Sequence, residues 1–164
     1  MSPQLLPLFL WMSVLGWGIA LGAKLFDLIV VAGAWSAAPP KSLAFLPYGP
    51  RFRVNPGHFF LPVCLVVVTG AIGALIAGWA TPAGYRIWLW ASALPVAGLW
   101  LITIPFMWPL NATLQAASHD GGAVDRAEVL RASFWWVVCD RIRVVMVAAG
   151  LVAAIRAMNL PIPQ

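Results

Sequence analysis

Residues 59–80, FFLPVCLVVVTGAIGALIAGWA, run without one charged side chain. At about 1.5 Å of rise per residue such a stretch is roughly 33 Å long as a helix, enough to cross the ~30 Å hydrocarbon core of a bilayer. It predicts a membrane-spanning helix over 59–80, and the reading extends outward from there. Thr81 to Arg86 is too short for anything but a tight turn, so the next charge-free run, Ile87 to Leu110, predicts an antiparallel helix over 87–110. Toward the N-terminus, residues 5–34 are apolar except for Lys24 and Asp27. Toward the C-terminus, 132–155 are apolar except for Asp140, Arg141 and Arg143. The expected fold is all-α: a four-transmembrane-helix up-down bundle, integral to the membrane, with residues 1–164 as a single membrane domain.

Composition agrees. The 164 residues are 62% hydrophobic and 9% charged, where a soluble domain averages about 25% charged. Mean hydropathy is +0.90. The net charge of +5 would suggest nucleic acid in a soluble protein, but no basic run or basic face supports that, so no nucleic-acid partner is expected. Cys64 and Cys139 sit singly in apolar runs and imply neither a disulfide framework nor a zinc site. Ala32-Gly33-Ala34 has the form of a leader cleavage site. Yet no Lys or Arg precedes the apolar run, and Lys24 and Asp27 interrupt it, so it reads as a retained helix.

The connecting segments differ in character. Residues 35–58 contain Pro39, Pro40, Pro47, Pro50 and Pro56, which keep them irregular. Residues 111–131 contain Gly121-Gly122, and Asp125 to Arg131 would prolong the last helix. Lys41, Arg51, Arg53, Arg126 and Arg131 on this side outnumber Arg86 and Arg156 on the other. The bias places 35–58 and 111–131 in the cytoplasm of a cell whose inner (plasma) membrane holds the chain, as in bacteria. Gly18-x-x-x-Gly22 and the Gly70, Ala74, Gly78 series are candidates for close helix packing, and a homo-oligomer is compatible with them. Pro95, Pro105 and Pro109 predict kinks in the third helix.

Ionisable residues inside a span are costly and point to function. Lys24 and Asp27 share a helix face; so do Trp136, Asp140 and Arg143, with Arg141 about 100° away. Helix 1 ends on the side from which helix 4 starts, and Asn111, Asn55 and His58 lie there too. The polar residues therefore gather at one end of the bundle. Three cations against two anions leave a positive surplus, which suits an anionic or enolisable ligand. A register-fixing ion network is the alternative. Phe45, Tyr48 and Phe52 would cover such a pocket. His119 belongs to a polar loop. Two histidines on separate segments make no metal site, and no phosphate loop, nucleophile elbow or dinucleotide fingerprint is present.

Two motifs, Pro109-Leu110-Asn111-x-x-Leu114 and Trp136-x-x-x-Asp140-Arg141-Ile142-Arg143, resemble the anthrone oxygenase-like family of small four-helix membrane proteins. The likeness spans most of the chain and departs at Asp140, where family members often carry His or Asn. It implies an oxygenase without metal or organic cofactor that converts an anthrone to an anthraquinone with molecular oxygen. On that reading Asp140 or Asp27 is the base, and Arg143 and Lys24 stabilise the enolate. Asn111 orients a small aromatic substrate, Trp136 stacks on it, and His58 and Arg141 add contacts. The other readings are a protein that binds or transports a small amphiphile and a scaffold subunit whose charges hold helices together.

Overall fold

The computed structural model describes residues 5–47, 55–119 and 124–161; all of these are helical or connect helices, and no strand occurs among them. Tyr48, Pro50, Arg51, Phe52, Arg53, Gly121 and Gly122 lie outside the described residues. Four long helices are present among the described residues: α1, Leu5–Ser36; α2, Pro56–Ala77; α3, Ala83–Ser118; and α4, Arg126–Asn159. The first three are long and apolar enough to cross a membrane. The fourth carries Arg126, Glu128, Arg131, Asp140, Arg141, Arg143 and Arg156.

Most helix ends differ from the sequence expectation for local reasons, whereas the start of α1 at Leu5 and the prolongation of α4 back to Arg126 agree with it. α2 starts at Pro56 because Pro suits the first helical position, and Asn55 caps it, Oδ1 accepting from the Gly57 N–H at 2.8 Å. It stops at Ala77, where the Gly78 to Thr81 turn closes on itself and the Thr81 hydroxyl donates to the Gly78 carbonyl at 2.6 Å. α4 starts early at Arg126, with Asp125 Oδ1 accepting from the Ala127 N–H at 3.3 Å. The loop expected over 111–131 is mostly helix, because α3 continues to Ser118 and α4 begins at Arg126.

The prolines of α3 do not end it. Over Thr103–Met107 it widens into a π turn, and the Trp108 N–H reaches back to the Thr103 carbonyl. A π turn spends one extra residue per turn and so accommodates the missing N–H groups of Pro105 and Pro109 without breaking the helix. α1 has a second π turn, Asp27–Val31, closed by the Ala32 N–H on the Asp27 carbonyl.

The chain divides into two compact units. The first is Met1–Gly22, Phe60–Leu99 and Val145–Gln164. Its core is Leu6, Leu10, Ala71, Ala74, Leu89, Ala93 and Ala157, continued by Trp17, Val67, Val147 and Ala154. α1 and α2 run antiparallel here: Leu6 lies by Gly78, Phe9 by Gly73, Ser13 by Gly70 and Gly16 by Val67. Ser13, Trp17 and Ser92 form a small hydrogen-bonded set within it. The second unit is Ala23–Phe59 and Trp100–Val144. Its core holds Ala32, Trp35, Leu43, Leu46, Met107, Leu114, Val129, Ala132 and Trp136.

Outside these cores many large apolar side chains are exposed, among them Trp11, Leu15, Leu61, Leu65, Leu101 and Val145. Apolar exposure on this scale is what a bilayer covers.

The glycines separate into those that pack and those that do not. A methyl on Gly70 would lie 2.5 Å from the Ser13 backbone nitrogen, whereas nothing lies within 4 Å of one on Gly18 or Gly22. The Gly18-x-x-x-Gly22 pair therefore makes no close helix approach among the described residues. Gly70→Ala should destabilise the protein by about 1–3 kcal/mol, because backbone cannot yield as a side chain can. Gly18→Ala should be neutral or stabilising by up to about 1 kcal/mol through helix propensity. Reversible unfolding in detergent micelles measures both; equal effects would show that α1 and α2 are not in the contact described.

Candidate functional site: a buried ion cluster on α1 and α4

The second unit holds the charged residues expected to carry chemistry. Lys24 sits one helical turn before Asp27 on α1, and its Nζ donates to Asp27 Oδ2 at 2.9 Å. The same ammonium lies 2.5 Å from Asp140 Oδ1 of α4. Arg143, three residues on, donates from Nη1 to that same Asp140 oxygen at 3.2 Å. Lys24 is 4% exposed, Asp27 5% and Asp140 0%, so the three are removed from solvent together. Such burial is tolerable because each carboxylate has a cation within contact distance; an isolated buried charge costs several kcal/mol or more.

Asp140 uses only half of its carboxylate. Both cations converge on Oδ1, while Oδ2 is buried and accepts no hydrogen bond from the described residues. Arg143 Nε and Ser133 Oγ are likewise buried without a partner among them. Ser133, Asp140 and Arg143 stand at spacings of seven and three, hence on one face of α4. A native interior rarely leaves such groups unanswered, and a row of three marks a place where a ligand oxygen or a water belongs.

Aromatic side chains wall the cluster. Trp136, 1% exposed, donates from Nε1 to Asn111 Oδ1 at 2.6 Å, joining α4 to α3. Its ring meets Trp35 edge-on, with centroids 4.9 Å apart and planes at 82°. Lys24 Nζ lies 6.0 Å from the Trp136 ring centre, within cation–π range. Trp35 is held by its own carbonyl, which accepts from the Ser42 hydroxyl at 2.5 Å and so ties the 3-10 turn Lys41–Phe45 to the end of α1.

The structure thus brings together Lys24, Asp27, Asn111, Trp136, Asp140 and Arg143. Two sequence candidates stand apart. Arg141 is exposed on the adjacent face of α4, and His58 is exposed at the start of α2, its ring turned back on the Asn55 backbone. With Arg141 outside, the buried set is two cations against two carboxylates, and the positive surplus counted from the sequence is not in the cluster. Phe45 is 65% exposed and Lys41 is exposed on the same 3-10 turn. Trp35 and Ser133 were not among the candidates. Ser133 was detectable as the position one heptad before Asp140, whereas Trp35 was not, because the π turn at Asp27–Val31 rotates everything after it. No group of three or more His, Cys, Asp or Glu side chains able to hold a metal ion occurs among the described residues.

Lys24 serves two carboxylates, so its loss should cost more than the loss of one of them. Lys24→Met strands Asp27 and leaves Asp140 with Arg143 alone, and should destabilise the fold by about 3–5 kcal/mol; Asp140→Asn leaves Lys24 with Asp27 and should cost less. Unfolding of the two variants beside the parent checks the order, and a Lys24→Met variant more stable than Asp140→Asn would contradict the shared ammonium.

Residues 52–153 match the family model described as anthrone oxygenase. The matched stretch includes Asn111, Trp136, Asp140 and Arg143 and excludes Lys24 and Asp27. No curated protein and no solved structure matches the chain.

Proposed function

The chain belongs to the anthrone oxygenase family, and from that premise we propose that it is an integral membrane oxygenase acting on an enolisable aromatic substrate at the Asp140 cluster. It would span the bilayer four times as an up-down bundle, with α4 admitted as the fourth span because Asp140 is buried against Lys24 of α1 with Arg143 paired to it, Arg141 alone of its central charges being exposed. We place it in a bacterial inner membrane, with 35–58 and the α3–α4 connection on the cytoplasmic side, on the balance of basic residues.

The observation that carries the reading is the asymmetry of Asp140. Oδ1 is fixed by Lys24 and Arg143, and Oδ2 is left unengaged among the described residues. A substrate C–H flanked by aryl rings and activated by a ketone gives its proton to Oδ2. The C–H bond breaks, an O–H bond forms on Asp140, and the electron pair moves into the ring system as an enolate. Protonated Asp140 no longer neutralises Lys24 and Arg143. The two cations then face the enolate oxygen, in a dry site where charge interactions are strong. The cluster starts neutral, gains one positive charge as the substrate gains one negative, and so holds the pair without importing an ion. The electron-rich enolate gives its electrons to O2 and a C–O bond forms; the peroxide anion takes the proton back from Asp140, and the hydroperoxide then loses its remaining C–H proton and its outer oxygen together as water to leave the quinone. Ketone plus O2 becomes quinone plus water, and the chain's own residues supply the proton acceptor and the charge. Trp136, anchored by Asn111, offers the flat wall against which a ring system lies.

A structural ion network is the competing reading, and the two-against-two balance is compatible with it. The unanswered Oδ2 and the Ser133 hydroxyl favour a ligand, since a purely structural network is expected to satisfy its members.

Oxygen uptake by metal-stripped protein in detergent, offered anthrone, tests the proposal. Uptake should survive chelation, and Asp140→Asn should lower it by roughly 100-fold or more, the scale of a lost general base. Folded protein that consumes no oxygen, or an Asp140→Asn variant at parental rate, sinks it.

A further inference from the structure

A second feature of the same unit is outside the charged cluster. Between the π turn of α3 and the first half of α4 runs a groove of about 640 Å³, walled by Pro105, Phe106, Pro109, Trp135, Cys139 and Ile142. Phe106 is 57% exposed and Ile142 47%, so the groove opens outward, on the surface that the proposed membrane covers. Its lining is apolar except for Thr113 and, among the exposed residues, one acid and one base, Glu128 and Arg131, whose charges cancel. The volume lies in the range of small-molecule sites, about 300–1,000 Å³.

What makes this more than an apolar surface is its registration with the charged cluster. Along α4, Ala132, Trp135, Cys139 and Ile142 of the groove are the chain neighbours of Ser133, Trp136, Asp140 and Arg143 of the cluster; on α3, Leu110 of the groove precedes Asn111. Groove and cluster are adjoining faces of the same two helix segments. The π turn in the groove wall is the least regular backbone of α3 and a frequent mark of functional sites. The cluster carries no net charge to draw an anion from water, and the groove rim carries none either.

Building on the oxygenase reading, we propose that this groove is the site where the substrate binds from the bilayer: a flat, uncharged, membrane-partitioned polycyclic ketone, which then passes between α3 and α4 to Asp140. Rigid rings suit a groove walled by prolines and aromatics. With Glu128 and Arg131 cancelling at the rim, an anionic amphiphile gains no attraction there over a neutral ligand.

Cys139 reports occupancy directly, because with Cys64→Ala it is the sole thiol. In nanodiscs without oxygen, where no turnover occurs, unsubstituted anthrone should slow the labelling of Cys139 by a membrane-partitioning maleimide several-fold. The protection should persist in Asp140→Asn. Ile142→Trp, on an exposed position, should abolish it and raise KM about tenfold with kcat within twofold, the pattern of lost binding rather than lost chemistry. Labelling indifferent to saturating anthrone, or slowed equally by palmitate, overturns the groove. If Cys139 resists the reagent, an Ile142→Trp variant with parental KM overturns it and a raised KM at parental kcat upholds it. Protection without turnover would keep the groove while removing the oxygenase; turnover without protection would do the reverse.

Discussion

One ammonium group held between two carboxylates sets the terms for the second unit. Lys24 lies within contact distance of both Asp27 and Asp140, all three nearly excluded from solvent. Each ion would cost several kcal/mol to bury alone. The burial is sustained only while α1 and α4 keep the register that puts them together. A shift of α4 by one residue would turn Asp140 by about 100° and present Arg141, a cation, to Lys24. The alternative is thus penalised twice, by a lost attraction and by a new repulsion. Buried ion networks commonly add little stability and instead select one arrangement among several. Here the arrangement selected is the one that leaves Asp140 Oδ2 unclaimed among the described residues.

The π turns fit the same logic. That of α1 begins at Asp27 itself, directly after the turn in which Lys24 and Asp27 pair. Past it the helix resumes with a rotated face, which brings Trp35 against Trp136 instead of pointing it elsewhere. That of α3 spans Thr103–Met107, around Pro105. Two prolines four residues apart would each cost about 3 kcal/mol or more in a regular helix. The wider turn absorbs them, buries Met107 and leaves Phe106 exposed beside the groove. The irregular backbone sits beside the charges and the groove, while α1, α2 and α3 are regular α-helix through the first unit apart from the turn joining α2 and α3.

Much of this was legible in the sequence, and the exceptions have identifiable causes. The second and third helices follow from charge-free length, and the first and fourth from apolar runs broken by only a few charges. The start of α2 moved because a cap acts at a single position, Asn55 with Pro56 outranking the fall in hydropathy, while the start of α4 beside Asp125 follows the prolongation that the sequence suggests. The cluster of Lys24, Asp27, Asp140 and Arg143 follows from helical spacing and from which end of each helix meets which. The surplus charge did not survive, because a count cannot see that Arg141 lies on another face, although its 100° offset from Asp140 was readable. His58 shares a chain end with the cluster but turns to its own cap. Trp35 was beyond reach, since a π turn changes the helical phase and no residue of Asp27–Val31 announces one. The half-used carboxylate was equally beyond reach: which oxygen of Asp140 is engaged depends on distances of a few ångströms across two helices.

Charge balance connects these observations to chemistry. A cluster with surplus positive charge would attract an anion and hold it in the ground state, which lowers KM without speeding a proton transfer. A neutral cluster behaves differently. On the proposed mechanism it offers no net attraction to the neutral ketone, and it becomes positive only when Asp140 takes the proton. The stabilisation therefore appears as the enolate forms, which is where differential binding accelerates a reaction. Exclusion of Arg141 from the buried set is then a requirement of the mechanism as well as a fact of the fold. The same neutrality explains why access from the bilayer suits the site: a substrate that arrives uncharged, through an apolar groove one helix face away, meets charge only at the step that creates its own.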